Sequence, residues 1–217
     1  MKEHLIIFDM DNTLLQSHID FPLMKQTVHA LLESHGLERY KRFSTANTIL
    51  AFTDSPDYDA DLAKQMWHEV ALLENEGLKQ SVLEPLATEA LAYLGKYAEL
   101  AVLTNNTDYN LEENLGKLGL LPYLSCVAGR DSVPRLKPAP DGMLWVAAQY
   151  PQIPLSNVIA VGDAINDAQA AHAAGIPFVA YNRSRMEDWT KWEFPPRLQL
   201  HGWDRSSCDR LLAMWRA

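Results

Sequence analysis

Short runs of apolar residues recur along the chain, separated by segments in which apolar residues return every three or four positions. Runs of the first kind are typical of buried β-strands and lie at His4–Phe8, Leu100–Leu103, Leu124–Ala128, Val158–Val161 and Phe178–Ala180. The second spacing is typical of amphipathic helices and is seen at Leu86, Ala90, Leu91 and Leu94, at Leu111, Leu115 and Leu118, and at Met143, Val146 and Ala147. This alternation predicts an α/β fold with a doubly wound parallel sheet covered on both faces.

The region from Gln16 to Gln80 follows a different pattern, with helical spacing and no convincing strand. Two helical faces are predicted there, formed by Met24, Val28, Leu31 and Leu32 and by Leu62, Met66, Val70 and Leu73. A turn-rich segment, Thr53–Asp57, separates them. We therefore expect an inserted helical domain at residues 16–80 and a core domain made of residues 1–15 and 81–217.

Composition and charge narrow the class of protein. Of the 217 residues, 47% are hydrophobic and 22% are charged, as in ordinary globular proteins, and the formal net charge is −9. This acidic balance argues against nucleic acid as a partner, so an anionic substrate must meet a local cation. Two cysteines, no signal-peptide pattern and no long apolar window favour a cytoplasmic protein without a membrane partner. We expect a monomer or a homodimer.

Two carboxylates follow the first predicted strand, in the segment FDMDNTLL. Asp9 and Asp11 are two residues apart, so they point to the same side while the chain stays extended. The carboxyl ends of parallel strands are where ligands of open α/β sheets bind. Asn12 comes where the chain must turn sharply, and asparagine tolerates left-handed backbone conformations. Asp11 could also cap a turn, which is the less favoured interpretation of this pair.

Further polar groups follow other predicted strands. Asp163 ends the strand in AVGDAINDAQAAHAAG and Asp167 falls in the first turn of the next helix, where it could also cap the helix. Thr104, with neighbouring asparagine amides, follows the strand in VLTNN, a pattern that also suits an ordinary polar turn. Lys137 lies in RLKPAP, just before a predicted helix; by itself, a lone lysine is usually a solvated surface charge.

Taken together, these groups predict a metal-assisted site for a phosphate ester. Four carboxylates near a phosphate dianion would repel it strongly, and one lysine cannot balance them. A divalent cation is therefore required. Ligands that are all oxygen, completed by water and a phosphate oxygen, match the preference of Mg²⁺.

The order of the motifs FDMDNTLL, VLTNN, LKPAP and GDAINDAQAAHAAG resembles the haloacid dehalogenase superfamily over most of the chain. The helical insertion directly after the first motif is similar to the cap of the phosphoglycolate phosphatase-like branch. The resemblance implies a Rossmann-like catalytic core, a helical cap domain, Mg²⁺ and a covalent aspartyl phosphate. The expected activity is hydrolysis of a small phosphomonoester.

The resemblance also implies catalytic and metal-binding roles. Asp9 would attack phosphorus and ligate Mg²⁺, and the backbone carbonyl of Asp11 would be a second ligand. Asp163 and Asp167 would complete the protein ligands of the metal. The side chain of Asp11 would act as an acid in the first chemical step and as a base in the second.

Phosphate-binding roles follow from the same resemblance. Thr104 and the backbone amide of Asn105 would hold phosphate oxygens, and Lys137 would bridge the nucleophile and the phosphate. Asn166 is a further phosphate contact by analogy with some relatives. Asn12 stands where glycine is commoner in the motif, which leaves the chemistry intact but weakens assignment to one subfamily.

Several alternatives remain open at this stage. A β-phosphoglucomutase-like isomerase would use the same core residues, and a catalytically silent binding module would keep the same fold. A dehalogenase has no need of an acid at Asp11, and a phosphonatase would need a cap lysine such as Lys64, which a solvated helix face explains better. Arg39, Lys41 and Arg42 could contact the substrate but are interpreted as surface charges. Phosphoglycolate, sugar phosphates and nucleotides all remain open as substrates.

Overall fold

The computed structural model describes residues 2–42, 44–181, 188–189 and 193–216. The chain forms two compact units. Unit 1 comprises Met1–Gln16 and Val82–Ala217, and unit 2 comprises Ser17–Ser81. Unit 2 is therefore an insertion into the sequence of unit 1.

Unit 1 is built around a parallel β-sheet. Its strands, numbered along the chain, are β1 (Leu5–Phe8), β2 (Leu15–Gln16), β3 (Val82–Leu83), β4 (Glu99–Leu103), β5 (Cys126–Ala128), β6 (Val158–Gly162), β7 (Phe178–Tyr181) and β8 (Leu198–Leu200). Six of them form one sheet in the order β5-β4-β1-β6-β7-β8, in which every neighbouring pair is parallel. β2 and β3 pair only with each other, in antiparallel register.

Helices account for unit 2 and alternate with the strands in unit 1. Those of unit 2 are α1 (Phe21–Ser34), α2 (Thr45–Thr53) and α3 (Ala60–Gln80). Those of unit 1 are α4 (Ala87–Leu94), α5 (Leu111–Lys117), α6 (Asp141–Ala148), α7 (Ile165–Ala173) and α8 (Arg205–Ala213). Single-turn 3₁₀ helices occur at Glu38–Tyr40, Leu121–Tyr123, Arg130–Ser132 and Leu155–Asn157.

The central strand β1 is buried on both faces, as expected for a parallel sheet covered by helices. Leu5 and Ile7 point to one face and pack in a core cluster with Met143 and Val146 of α6. Their neighbours in β1 point to the opposite face and are also fully buried. The predicted doubly wound α/β fold is thus confirmed.

Unit 2 owes its helix boundaries to local capping. Asp20, Ser44 and Asp59 precede α1, α2 and α3, and their side-chain oxygens accept backbone N–H groups of the first turn. The two predicted helical faces are present, and the buried residues common to prediction and structure are Met24, Val28, Leu32, Leu62, Met66 and Val70. Leu31 and Leu73 are only partly buried, because they lie at the margins of these apolar stripes.

All five predicted strands are present, with ends that differ by up to two residues. The short strands β2, β3 and β8 were not expected, because two- or three-residue strands carry too few positions for a recognisable pattern. The expectation of no strand in residues 16–80 is wrong by one residue, since Gln16 belongs to β2.

Aromatic residues near the end of the chain pack onto unit 1. The Trp203 ring stacks on Tyr181 with centroids 4.9 Å apart and meets Phe8 edge-on at 5.6 Å. Its Nε1 donates a 2.7 Å hydrogen bond to the carbonyl of Thr13. Trp189 is buried beside Phe178, whereas Trp192 lies outside the described residues.

Candidate active site

Three adjacent strands of the sheet, β4, β1 and β6, end in the polar residues singled out by the sequence. Asp9 directly follows β1, and its backbone N–H continues the sheet pairing with a 2.8 Å hydrogen bond to the carbonyl of Val161. Thr104 follows β4 and Asp163 follows β6. Because parallel strands end at the same sheet edge, these side chains converge there.

The loop after Asp9 turns tightly. The Met10 carbonyl accepts hydrogen bonds from the backbone N–H groups of Leu14 at 2.9 Å and Leu15 at 3.0 Å. Asn12 has a φ of 57°, so it adopts the left-handed conformation expected from the sequence. Within this loop the carboxylate of Asp11 is buried, and its Oδ2 accepts a 2.7 Å hydrogen bond from Nδ2 of Asn106.

Lys137 is the buried cation of the site, with 3% of its surface exposed. Its Nζ donates to Oδ1 of Asp9 and to Oδ1 of Asp167, both at 2.6 Å. A third hydrogen bond, 3.0 Å long, reaches the carbonyl of Leu103. The three ammonium hydrogens are therefore all engaged, and Lys137 joins the carboxylates that follow β1 and β6. The solvated-surface interpretation of this lysine does not apply.

Asn105 holds the backbone at Lys137 in place. Its Nδ2 donates to the Lys137 carbonyl at 2.9 Å, and its Oδ1 accepts from the Lys137 N–H at 3.0 Å. The peptide bond between Lys137 and Pro138 is cis. The side chain of Asn105 thus fixes the segment that delivers the lysine, a role separate from the backbone-amide contact that the sequence suggested.

Asp163 and Asp167 bring further carboxylates to Asp9. Ligand oxygens of the three residues all lie within 4.8 Å of one another. Asp167 also caps α7, since its Oδ2 accepts a 3.0 Å hydrogen bond from the N–H of Ala164. A Cβ at Gly162 would come within 2.4 Å of this oxygen, so a glycine is needed at the end of β6. The capping interpretation of Asp167 is confirmed, and its role as a metal ligand stays a prediction.

Burial and like charge disturb the acidity of this cluster. Burial raises the pKa of Asp9 to about 7; Lys137 opposes the rise, and Asp167 and Asp11 add to it. Burial likewise raises the pKa of Asp163 to about 9, reinforced by Asp9 and Asp167. Burial alone would lower the pKa of Lys137, but Asp167 and Asp9 raise it above the ordinary lysine value.

These features fit a divalent cation. The three clustered groups are all carboxylates, and oxygen donors are the ligands that small hard cations prefer. Burial is the main cause of the raised pKa values of Asp9 and Asp163, and repulsion between the carboxylates adds to it, since one ammonium group cannot neutralise them all. A bound cation would remove this repulsion.

Two of the predicted phosphate contacts are Thr104, which follows the strand next to β1, and Asn166, which precedes Asp167. Thr104 is buried, and its Oγ1 accepts a 3.2 Å hydrogen bond from the backbone N–H of Asn106. Asn166 is partly buried in the first turn of α7, one residue before Asp167. Both positions stay predictions as phosphate contacts.

Sequence reasoning missed Arg130 and the contact of Asn106 with Asp11. The Nη1 of Arg130 donates to the Asn105 carbonyl at 3.1 Å, and its N–H donates to the Asn106 carbonyl at 2.7 Å. Asn106 was visible only as a second amide after β4. Arg130 carries no local signal, because its contacts join loops after two different strands.

The basic residues of unit 2 considered as substrate contacts are engaged within unit 2. Arg39 pairs with Asp57 and Lys41 pairs with Glu33. Arg42 donates to the backbone carbonyls of Arg39 and Lys41, each at 2.9 Å. These contacts agree with their interpretation as surface charges. Lys64 is exposed on α3, as a solvated helix face requires.

The sequence profile of the haloacid dehalogenase-like hydrolases matches residues 4–175, which include every site residue named above. The chain belongs to the haloacid dehalogenase-like hydrolase family. It is therefore an enzyme of the hydrolase class. The resemblance inferred from the four motifs is confirmed.

Two relatives of this hydrolase are both named phosphoglycolate phosphatase. A phosphoglycolate phosphatase of Neisseria meningitidis serogroup A is 32% identical over 190 residues, which cover 80% of this chain and 78% of the relative. One from Pseudomonas savastanoi pv. phaseolicola is 28% identical over 195 residues, covering 83% and 71%. A crystal structure of a hydrolase from Pseudomonas syringae has the same fold, with a TM-score of 0.70 at 19% identity over 92% of this chain and 94% of that one.

Within residues 2–42, 44–181, 188–189 and 193–216, no helix has both the length and the apolar character needed to cross a bilayer.

Proposed function

We propose that this hydrolase is a Mg²⁺-dependent phosphatase that cleaves a small phosphomonoester through an aspartyl phosphate on Asp9. The observation that carries the proposal is the arrangement around Asp9. Its carboxylate pairs with the buried Lys137 and lies beside Asp163 and Asp167, at the sheet edge where ligands bind. The phosphatase names of the relatives support the same class of reaction.

Asp9 is the proposed nucleophile. One of its oxygens forms a bond to phosphorus while the bond between phosphorus and the ester oxygen breaks. An anionic phosphate approaches a carboxylate only if nearby positive charge offsets the repulsion. Lys137, 2.6 Å from Asp9, supplies part of that charge and stabilises the transferring phosphoryl group.

Asp11 is the proposed acid and base. In the first step its carboxyl group gives a proton to the departing ester oxygen. In the second step its carboxylate takes a proton from the water that attacks phosphorus, and the bond to Asp9 breaks to release phosphate. The proton lost in the first step is recovered in the second, so Asp11 returns to its starting state.

Thr104, the backbone amide of Asn105, Lys137 and Asn166 are the proposed phosphate contacts. Thr104 and Asn105 follow β4, the strand next to β1, which supports a position close to Asp9. Donors held by buried backbone need no reorganisation when the phosphoryl group transfers. Lys137 is likewise preset by the side chain of Asn105.

Asp9, Asp163, Asp167 and the backbone carbonyl of Asp11 are the residues that would hold Mg²⁺. When bound, the ion neutralises the carboxylates and polarises the phosphoryl oxygens. The crowded carboxylates and their raised pKa values support such a ligand.

The proposed substrate is 2-phosphoglycolate, with sugar phosphates and nucleoside monophosphates as the other classes to test. The support comes from the names of the relatives at about 30% identity. We further propose that residues 1–15 and 81–217 act as the catalytic core and that the helical residues 16–80 act as a cap that selects the substrate.

Metal dependence tests the mechanism. Phosphate release from p-nitrophenyl phosphate should vanish after exhaustive chelation and return with Mg²⁺. Ca²⁺ should inhibit, because its larger and looser coordination shell misplaces the nucleophile relative to phosphate. Full activity after chelation would overturn the mechanism.

A panel of phosphomonoesters tests the substrate. We expect the highest kcat/KM for 2-phosphoglycolate, with phosphate and glycolate released in equal amounts. Isomerisation of a sugar phosphate without phosphate release would instead identify a mutase. Equal and poor turnover of every ester would leave the phosphatase class standing and refute 2-phosphoglycolate.

A further inference from the structure

The buried amide of Asn106 makes a direct contact with the side chain of Asp11. Its Nδ2 lies 2.7 Å from Oδ2 of Asp11, although the two residues are 95 positions apart in the sequence. Asn106 is 5% exposed and Asp11 is 9% exposed, so little water reaches the contact. A hydrogen bond to a charged group in such surroundings is stronger than one in water.

Asn106 is itself held on both sides. Its backbone N–H donates to Oγ1 of Thr104 at 3.2 Å, and its carbonyl accepts the N–H of Arg130 at 2.7 Å. The side-chain amide that contacts Asp11 therefore belongs to a residue whose backbone is fixed at both its N–H and its carbonyl. Fixing one carboxyl oxygen of Asp11 sets the rotation of the whole carboxyl group, and with it the direction that Oδ1 faces.

We propose that Asn106 is a positioning residue that orients the Asp11 carboxyl group for both proton transfers. The proposal rests on the proposed function, because it takes Asp11 as the acid and base. Asn106 needs no contact with the substrate. It acts by keeping the Asp11 oxygens within hydrogen-bond reach of the ester oxygen and of the attacking water.

Loss of this orientation should matter most when the leaving group needs a proton. Phenoxide is more basic than p-nitrophenoxide, so phosphorylation by phenyl phosphate depends on the acid. The p-nitrophenoxide group of p-nitrophenyl phosphate departs readily without it. The two esters are otherwise similar in size and charge. Comparison of their phosphorylation rates therefore separates a positioning role from a general loss of folded structure.

The experiment measures the pre-steady-state release of phenol and p-nitrophenol from the full-length, Mg²⁺-loaded enzyme. Asn106→Ala should slow phosphorylation by phenyl phosphate about 10- to 100-fold, the effect of misplacing a catalytic group by about 1 Å. Phosphorylation by p-nitrophenyl phosphate should fall by about threefold or less, with KM little changed. Protein-bound phosphate should also accumulate, because the base is misplaced in the second step.

Asn157→Ala is the matched control. Asn157 also donates one side-chain hydrogen bond, 2.9 Å long, to the carbonyl of Glu3 outside the site. Both phosphorylation rates should be unchanged in this variant. If Asn106→Ala does not fold, Asn106→Leu keeps the side-chain volume without a donor and takes its place.

Asp11→Asn separates failure of this inference from failure of the proposed function. It should show the same selective loss with phenyl phosphate, and adding Asn106→Ala to it should cause no further loss. If Asn106→Ala loses activity equally with both esters while Asp11→Asn shows a selective loss with phenyl phosphate, the positioning role of Asn106 is refuted and the acid role of Asp11 stands. Equal losses in Asp11→Asn itself would refute the acid role and this inference with it.

Discussion

The two units of the chain treat charged side chains differently. In unit 1, Lys137 and Asp167 are almost completely buried and contact each other at 2.6 Å. In unit 2, the ion pair between Arg39 and Asp57 is exposed, with 54% and 38% of the two side chains accessible. Exposed pairs contribute little to stability, whereas a buried charge without its partner is costly.

This difference shows that unit 1 retains buried charged groups that are unfavourable for folding. Burial of several carboxylates around one lysine opposes folding, and no packing requirement explains it. Such clusters are characteristic of functional sites. The ion pairs of unit 2 described above lie at its surface, although one acidic residue of α3, Glu74, is buried. We therefore expect any role of unit 2 in the reaction to come from its shape and surface.

The largest effect should come from the proposed nucleophile. Asp9→Asn keeps the shape of the side chain but removes the attacking oxygen, so kcat should fall by about 10⁴-fold or more. Phosphate release measures the loss, and circular dichroism checks that the fold is intact. Asp61→Asn, on the exposed first turn of α3, is the control and should keep the full rate. Wild-type turnover in Asp9→Asn would place the site elsewhere.

The next largest effect is a loss of stability, tested by replacing one buried and one exposed lysine. Lys137→Met leaves Asp9 and Asp167 without their cation, and the free energy of unfolding should fall by about 3–5 kcal/mol. Lys64→Met on α3 should change it by about 0.5 kcal/mol or less. Urea denaturation in metal-free buffer measures both values. Similar losses in the two variants would remove the contrast between the units.

The smallest effect on chemistry should follow removal of unit 2. Gln16 and Val82 are paired in the antiparallel register of β2 and β3, so an Asn-Gly turn can replace Ser17–Ser81. We expect a folded but weak phosphatase, with preferences among phosphomonoesters reduced to about tenfold or less, since specificity reflects differential contacts. Unchanged preferences, measured as kcat/KM ratios, would show that unit 2 does not select the substrate.

The sheet and the gathering of polar residues at its edge could be predicted from sequence. Each buried strand is a recognisable apolar run, and the carboxyl ends of parallel strands meet by geometry alone. Asp9, Thr104 and Asp163 follow such runs, so their convergence required no knowledge of long-range packing. The left-handed turn at Asn12 was predictable for a local reason, since few residue types tolerate it.

The side-chain contacts that position the site could not be predicted in this way. The side chain of Asn105 is hydrogen-bonded to the backbone of Lys137, 32 residues later in the sequence. Asn106 is hydrogen-bonded to Asp11, 95 residues earlier. Local sequence around an asparagine does not reveal whether it closes a turn or orients a distant catalytic group. These contacts depend on how two loops pack, which periodicity does not encode.

The hydrogen bond from Trp203 to the Thr13 carbonyl bears on how the protein is made. Its partners are 190 residues apart, and translation proceeds at about 5–20 residues per second, so about 10–40 s separate their synthesis. Lys137 likewise emerges well after Asp9. The nascent chain therefore presents its carboxylate loop long before the groups that anchor and neutralise it, and phosphatase activity should appear only when nearly all of the C-terminal segment has left the ribosome.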